Sequence, residues 1–166
     1  MKPKVLIIMG SDSDLPVMEE TARTLDEFAV PYTMTVASAH RTPARTLKLV
    51  KDAEKNGVDV IIGAAGMAAH LPGVIASHTI LPVIGIPLDS SPLRGMDALL
   101  SIVQMPPGIP VATVSVGKAG ARNAAILAVQ IIARQDLKLT KQLQDYRRFM
   151  ATEVEAKAGR IAKKKR

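Results

Sequence analysis

The chain has 166 residues, the size of one ordinary domain, and 48% of them are hydrophobic, which excludes disorder over most of its length. It has no cysteine, three widely separated histidines and only 2% aromatic residues, which excludes disulfides and iron–sulfur clusters and disfavours metal, flavin and base-stacking sites. The net charge of +7 comes largely from six basic residues in the last ten positions, so it indicates a basic tail rather than a nucleic-acid-binding surface.

Short apolar segments alternate with helical patterns along the chain. Strands are predicted over residues 4–9, 32–37, 58–62, 83–86 and 111–116. Helices are predicted over about 16–29, 43–56, a short stretch from 72, 96–103, 117–134 and about 136–158. This alternation is typical of a parallel sheet with helices on both faces.

We therefore predict a single α/β domain over residues 1–158, followed by a basic, disordered tail over residues 159–166. The domain is expected to be a three-layer αβα sandwich around a flavodoxin-like parallel sheet of about five strands, in the order 2-1-3-4-5. A long C-terminal helix completes it. In such sheets ligands bind at the carboxyl ends of the strands, and the polar loops of this chain fall there.

The first of these loops is residues 10–14, with the sequence GSDSD. Its backbone N–H groups, hydroxyls and glycine suit an oxyanion at a helix N-terminus. Because carboxylates repel phosphate, we expect Ser11 and Ser13 near phosphate oxygens and Asp14 near sugar hydroxyls. Serine and aspartate are also favoured helix caps, so the residues alone leave a purely structural role equally open.

The second loop, residues 38–43 with the sequence SAHRTP, follows the second strand. His40 can donate or accept a proton near neutral pH, and Arg41 offers a planar fork for a phosphate or carboxylate. A lone histidine is more often structural than catalytic. A His-Arg pair in a polar loop at this edge of the sheet nevertheless favours acid–base catalysis.

The third and fourth loops are less specific. Residues 63–73 are mostly small, which suits either close approach of the backbone to a ligand or tight packing, and they match neither a dinucleotide fingerprint nor a P-loop. The loop over residues 85–95 is long and polar enough for a lid.

Between residues 57 and 117 only four residues are charged, namely Asp59, Asp89, Arg94 and Asp97. A stretch with so few charged residues is unsuited to face water on a monomer, so we predict that it is buried in an obligate homo-oligomer.

From the residues alone, these loops predict an enzyme that acts on a phosphorylated small molecule with a histidine acid–base group. Together with residues 68–73 (AAHLPG) and 101–106 (SIVQMP), they resemble class I PurE, the N5-carboxyaminoimidazole ribonucleotide mutases of purine biosynthesis. The resemblance runs from about Val5 to Arg148. It implies a three-layer α/β sandwich, an ATP-independent isomerase without metal or organic cofactor, and an octamer with active sites at subunit junctions.

The resemblance also implies roles for individual residues. His40 matches the acid–base histidine that handles protons while a carboxyl group moves, through trapped CO2, from the exocyclic nitrogen to C4 of the aminoimidazole ring. Arg41 and the serines would hold the 5′-phosphate and Asp14 the ribose, while the backbone of residues 66–70 would flank the migrating carboxylate. The predicted substrate-binding set is Ser11, Ser13, Asp14, Ser38, Arg41, Gly66, Ala68, His70 and Leu71.

Two alternatives remain from the sequence. The first is a class II carboxylase that uses aminoimidazole ribonucleotide and free CO2. Arg41 and His70 favour class I, because class II enzymes have lysine after the histidine and an Arg-Ser-Asn run in the third loop.

The chain departs from the class I pattern at two positions. Met67 stands where glycine is common and adds bulk to the pocket, and Leu15 stands where tryptophan is frequent.

The second alternative is a non-catalytic protein whose basic tail, residues 163–166, binds nucleic acid; the nearly neutral remainder of the chain disfavours it. No run of 18 apolar residues occurs. We therefore expect a soluble, cytoplasmic protein that has a small-molecule ribonucleotide substrate and no association with membranes.

Overall fold

A computed structural model describes residues 2–164, and its centre is a sheet of five parallel strands. The strands are β1 (Val5–Met9), β2 (Tyr32–Val36), β3 (Val60–Ala65), β4 (Val83–Pro87) and β5 (Ala112–Thr113). Their order in the sheet is β2-β1-β3-β4-β5, which confirms the predicted flavodoxin-like order. All carboxyl ends therefore meet at one edge of the sheet.

Among the described residues, six helices cover the two faces of this sheet, which confirms the predicted three-layer sandwich. They are α1 (Leu15–Glu27), α2 (Pro43–Asn56), α3 (Leu71–Ala76), α4 (Met96–Val103), α5 (Gly117–Ala133) and α6 (Leu137–Lys164). A single 3-10 turn, Asp12–Asp14, precedes α1. Helix α2 ends at Gly57, whose φ of +75° supplies the left-handed cap that the sequence predicts. Within residues 2–164 no helix is both long and apolar enough to cross a membrane.

Strand β1 is buried on both faces, as its unbroken apolar sequence predicts. Val5, Ile7 and Met9 point to the face that α1 and α5 cover. Leu6 and Ile8 point to the opposite face, where they pack with residues of α2, α3 and α4. The two cores fix the sheet between its helix layers and so hold the loops at its carboxyl edge in place.

Three elements, β3, β5 and α6, have a boundary that differs from the sequence prediction by three residues or more. Strand β3 runs to Ala65 instead of ending at residue 62, because its small residues still pair with β4 and leave room for α3; a β-carbon on Gly63 would lie 3.1 Å from Cδ1 of Ile75. Strand β5 has two residues rather than six, because the chain turns toward α5 and brings the Ser115 carbonyl against Gly120.

Helix α6 is longer than predicted and continues to Lys164. All side chains from 147 to 163 are exposed, so this part of the helix contributes no buried residue to the core. Residues 165 and 166, which belong to the predicted basic tail, lie outside the described residues. The division into a domain over 1–158 and a disordered tail over 159–166 stays a prediction.

Candidate active site at the carboxyl edge of the sheet

A cleft of about 470 Å³ lies at the carboxyl edge, between the loops that follow β1, β2, β3 and β4. It brings together eight of the predicted site residues, namely Ser11, Ser13, Asp14, Ser38, His40, Arg41, Gly66 and Leu71. Its other lining residues are Gly10, Ala39, Ala65, Met67, Ala69 and Ser90. Residues separated by up to 80 positions in sequence thus share one cavity because parallel strands end at the same edge.

The loop after β1 is held by reciprocal hydrogen bonds of a capping box. The Ser11 N–H donates to Oδ2 of Asp14 at 3.0 Å, and the Ser13 N–H donates to Oγ of Ser11 at 3.3 Å. Ser13 also donates its hydroxyl to Oγ of Ser11 at 2.9 Å. The capping role and the cleft-lining role, which were alternatives in the sequence, therefore fall on the same residues.

Asp14 is buried against this turn. Burial raises the pKa of its carboxyl above the ordinary value of 3.8, and the hydrogen bond from the Ser11 N–H opposes that rise. The carboxyl is thus held by backbone on one side while it lines the cleft on the other. A group in this position is suited to accept hydrogen bonds from neutral hydroxyls of a ligand.

Arg41 supplies the positive charge of the cleft. Its Nη2 donates to the carbonyl of Gly10 at 3.1 Å, and its Nε lies 3.5 Å from Oγ of Ser38. Among residues 2–164 no carboxylate lies within ion-pair distance of this guanidinium. The two neutral contacts orient the planar group and leave its charge for an anionic ligand.

His40 lies in the turn after β2, between Ala39 and Arg41. Its side chain is exposed and lines the cleft. Within the described part of the chain no other group hydrogen bonds to its imidazole. The turn itself is fixed by Thr42, whose Oγ1 accepts from the Ser38 N–H at 3.0 Å and donates to the Ser38 carbonyl at 3.1 Å. The ring is therefore held at the cleft by its backbone and is free to exchange a proton with a ligand.

Ala68 and His70, which were also predicted to bind substrate, are not among the residues that line the cleft. The His70 ring lies over Gly73 at the start of α3, with Nε2 at 2.8 Å from Sδ of Met105. Burial lowers the pKa of His70 below its ordinary value of 6.5, and Nδ1 is buried without a hydrogen-bond partner in residues 2–164. In the single chain, then, His70 joins the loop before α3 to the loop after α4.

Met67 occupies the rim of the cleft rather than its interior. Its side chain is 62% exposed, so it narrows the cleft less than the sequence suggested. Its backbone has a φ of +56°, in the left-handed region that favours glycine. Methionine in place of glycine at residue 67 therefore changes mainly the conformational energy of the backbone.

Ser90 is a cleft residue that sequence reasoning missed. It follows β4 in the loop over 88–95, and its side chain reaches the cleft beside Gly66. The sequence contains only one indication of Ser90, namely its position: its loop also follows the carboxyl end of a parallel strand, where ligands bind. No motif distinguished Ser90 from the neighbouring Ser91.

Comparisons with known proteins find relatives that share related names. Residues 4–153 match the family model described as AIR carboxylase. The chain is 57% identical over 160 residues to an N5-carboxyaminoimidazole ribonucleotide mutase of Pyrococcus horikoshii, covering 96% of this chain and 89% of that protein. It is 50% identical over 151 residues to the mutase of Escherichia coli strain K12, covering 91% and 89%. Its structure resembles that of Treponema denticola PurE with a TM-score of 0.85 and 28% identity, over 95% of this chain and 98% of that one.

Proposed function

The chain belongs to the AIR carboxylase family, and from this premise we propose that it converts N5-carboxyaminoimidazole ribonucleotide to 4-carboxyaminoimidazole ribonucleotide in purine biosynthesis. The reaction is an isomerisation, as the mutase name of its relatives states. The observation that carries the proposal for this chain is one cleft that holds an exposed histidine beside an unpaired arginine and a serine-rich turn. Those are the groups that a proton-transfer reaction on a phosphorylated substrate needs.

We assign the phosphate and ribose of the substrate to the loops after β1 and β2. Arg41, Ser11 and Ser13 bind the 5′-phosphate, because they combine the free positive charge of the cleft with hydroxyl donors. Ser38 keeps the guanidinium of Arg41 in place. Asp14 accepts hydrogen bonds from the ribose hydroxyls. We call these five residues the phosphate side of the cleft.

We assign the aminoimidazole ring and its carboxyl group to the loops after β3 and β4. Gly66 and Leu71 line this part of the cleft, which is poor in side-chain charge. A region poor in charge favours loss of CO2 from the exocyclic nitrogen, and its walls keep the CO2 beside the ring. We call Gly66, Met67, Leu71 and Ser90 the carboxylate side.

In the proposed mechanism His40 carries one proton in each direction. Its imidazolium protonates the exocyclic nitrogen as the N–C bond breaks and CO2 is released within the cleft. The ring carbon C4 then forms a bond to that CO2, and the imidazole removes the proton from C4. The substrate and product have the same atoms, and His40 returns to its starting state. The reaction therefore needs no ATP and no external acid or base.

We further propose that the active enzyme is a homo-octamer with active sites at subunit junctions. Five large apolar side chains are exposed around the short edge strand β5, namely Leu93, Met96, Leu100, Val103 and Ile109. Exposed apolar groups beside an unpaired edge strand are typical of a surface that another subunit covers. The exposed half of α6 supplies a second such surface through Met150, Val154 and Ile161. The proposed compartment is the cytoplasm.

The test of the proposed function is conversion of N5-carboxyaminoimidazole ribonucleotide by the purified chain without ATP, metal or added bicarbonate. Rapid formation of the C4-carboxylated product is the expected result. Slow conversion there, combined with fast carboxylation of aminoimidazole ribonucleotide at ordinary bicarbonate, would show a class II carboxylase instead. Absence of turnover with both substrates would overturn the proposed function.

A further inference from the structure

The loop after β4 places two adjacent serines in different surroundings. Ser91 is engaged within its own loop, since its hydroxyl donates to Oδ1 of Asp97 at 2.8 Å and accepts from the Leu93 N–H at 3.2 Å. Ser90 instead turns its side chain into the cleft, and no hydrogen bond of its hydroxyl is found within residues 2–164. The Ser90 hydroxyl is therefore available to a ligand, whereas the Ser91 hydroxyl is not.

The Ser90 hydroxyl packs directly on the backbone of Gly66. A β-carbon built on Gly66 would collide with Oγ of Ser90, although the backbone of Gly66 does not have a positive φ. A side chain at residue 66 would therefore displace the Ser90 hydroxyl, for reasons of space rather than of backbone conformation. The absence of a side chain there lets the hydroxyl reach the wall of the cleft formed by the end of β3.

The position of β4 in the sheet sets the distance of Ser90 from the phosphate side. Strand β3 lies between β1 and β4, so the loops after β1 and β4 are two strand spacings, about 10 Å, apart. A ribonucleotide whose phosphate lies at the loop after β1 spans such a distance with its ribose and base. Ser90 is then beside the ring and its carboxyl group.

The charges near Ser90 also suit a carboxylate. The neighbouring Asp89 is turned away, with its carboxyl atoms 3.7 Å from where a β-carbon of Gly117 would be, at the first turn of α5. No acidic side chain on the carboxylate side competes with the substrate for the serine proton. A neutral hydroxyl can donate to an anionic carboxylate and retain a weaker bond when the group becomes neutral CO2.

We propose that Ser90 is a further substrate-binding residue, whose hydroxyl donates a hydrogen bond to the migrating carboxylate and holds the released CO2 near C4. This inference rests on the proposed function and deepens it. It assigns to Ser90 a part in retaining the carboxyl carbon during transfer, in addition to binding the substrate.

The test compares Ser90→Ala with the matched control Ser91→Ala in the full chain. Turnover of N5-carboxyaminoimidazole ribonucleotide is followed in buffer containing ¹³C-bicarbonate, and the ¹³C content of the product carboxyl group is measured. We expect Ser90→Ala to lower kcat/KM by about 10- to 100-fold, the effect of losing a hydrogen bond to a charged group. We also expect its product to contain more ¹³C, because released CO2 escapes and exchanges with the medium. Ser91→Ala should match the unaltered chain in both measurements.

A third variant, Gly66→Ala, tests the same contact from the other side, because its methyl group displaces the Ser90 hydroxyl. It should raise the ¹³C content of the product as Ser90→Ala does. Equal kcat/KM and equal ¹³C content for Ser90→Ala and Ser91→Ala would overturn the inference and leave the mutase activity standing. Absence of turnover by the unaltered chain would overturn the proposed function and this inference with it.

Discussion

On the phosphate side of the cleft, polar side chains hold one another in place, whereas on the carboxylate side the absence of a side chain at Gly66 leaves backbone along the cleft wall. The capping box of Ser11 and Asp14 and the contacts of Arg41 with Gly10 and Ser38 fix the first region before any ligand binds. The second region depends on Gly66 and on a left-handed residue at Met67. In the proposed function, the phosphate side therefore recognises the substrate, and the carboxylate side is where the carboxyl group moves.

This difference predicts unequal sensitivity to substitution. If the proposed roles hold, a change to a polar side chain of the phosphate side removes a specific contact with the substrate and raises KM. A change on the carboxylate side alters the space around the reacting group or the energy of the backbone. The next three predictions are arranged from the largest expected effect to the smallest.

Arg41→Lys should raise KM by about 10- to 100-fold, since lysine keeps the charge but loses the planar fork and the contact with the carbonyl of Gly10. Steady-state kinetics with N5-carboxyaminoimidazole ribonucleotide would measure it. Arg23→Lys is the control, because Arg23 pairs with Glu20 on α1 and does not line the cleft. Equal KM values for the two variants would remove Arg41 from the phosphate side.

Met67→Gly should increase the free energy of unfolding by about 0.5–1 kcal/mol, because glycine adopts a φ of +56° without the strain of a β-carbon. Denaturant titration at fixed protein concentration would measure the change. Ala68→Gly is the matched control; its backbone is not left-handed, so glycine there should destabilise the chain by about 0.5–1 kcal/mol. Destabilisation by both substitutions would show that the backbone at Met67 is not strained.

The burial of His70 predicts a smaller effect, on how the free energy of unfolding depends on pH. Its folded-state pKa is lowered by burial, so between pH 6.5 and that lower value the unfolded chain binds more protons than the folded chain. The stabilisation is therefore complete above pH 6.5 and is lost as the pH falls through the folded-state pKa. We expect His70→Asn to reduce the loss of unfolding free energy between pH 7.5 and 5.5, as measured by denaturant titration at each pH. An unaltered pH dependence in His70→Asn would contradict the burial of this imidazole.

The same contrast explains what the sequence could predict. Strand β1 and the cap at Gly57 were predictable because an apolar run and a helix-ending glycine are local signals. The phosphate side was predictable for the same reason, since Ser11, Asp14 and Arg41 carry their chemistry in their side chains. Their dual role could not be resolved, because a capping residue and a ligand-binding residue have the same composition at a helix N-terminus.

The carboxylate side was harder to predict because its information lies in tertiary contacts. The end of β3 at Ala65 depends on pairing with β4, and the place of Ser90 depends on the space beside Gly66. His70 matched a motif, yet its ring contacts Met105 in a loop 35 residues away. The exposed length of α6 likewise has no signal in its helical period, which continues unchanged past the end of the core.

The measurement that tests the central claim most directly is turnover by His40→Asn, compared with the unaltered chain at equal Tm and equal oligomeric state. Because His40 is exposed and its ring makes no hydrogen bond within residues 2–164, the substitution should leave both properties unchanged. The account predicts that formation of 4-carboxyaminoimidazole ribonucleotide falls by at least about 1000-fold, since His40 is the only histidine among the described residues that line the cleft. Retention of more than a tenth of the activity would contradict the assignment of the proton transfers to His40.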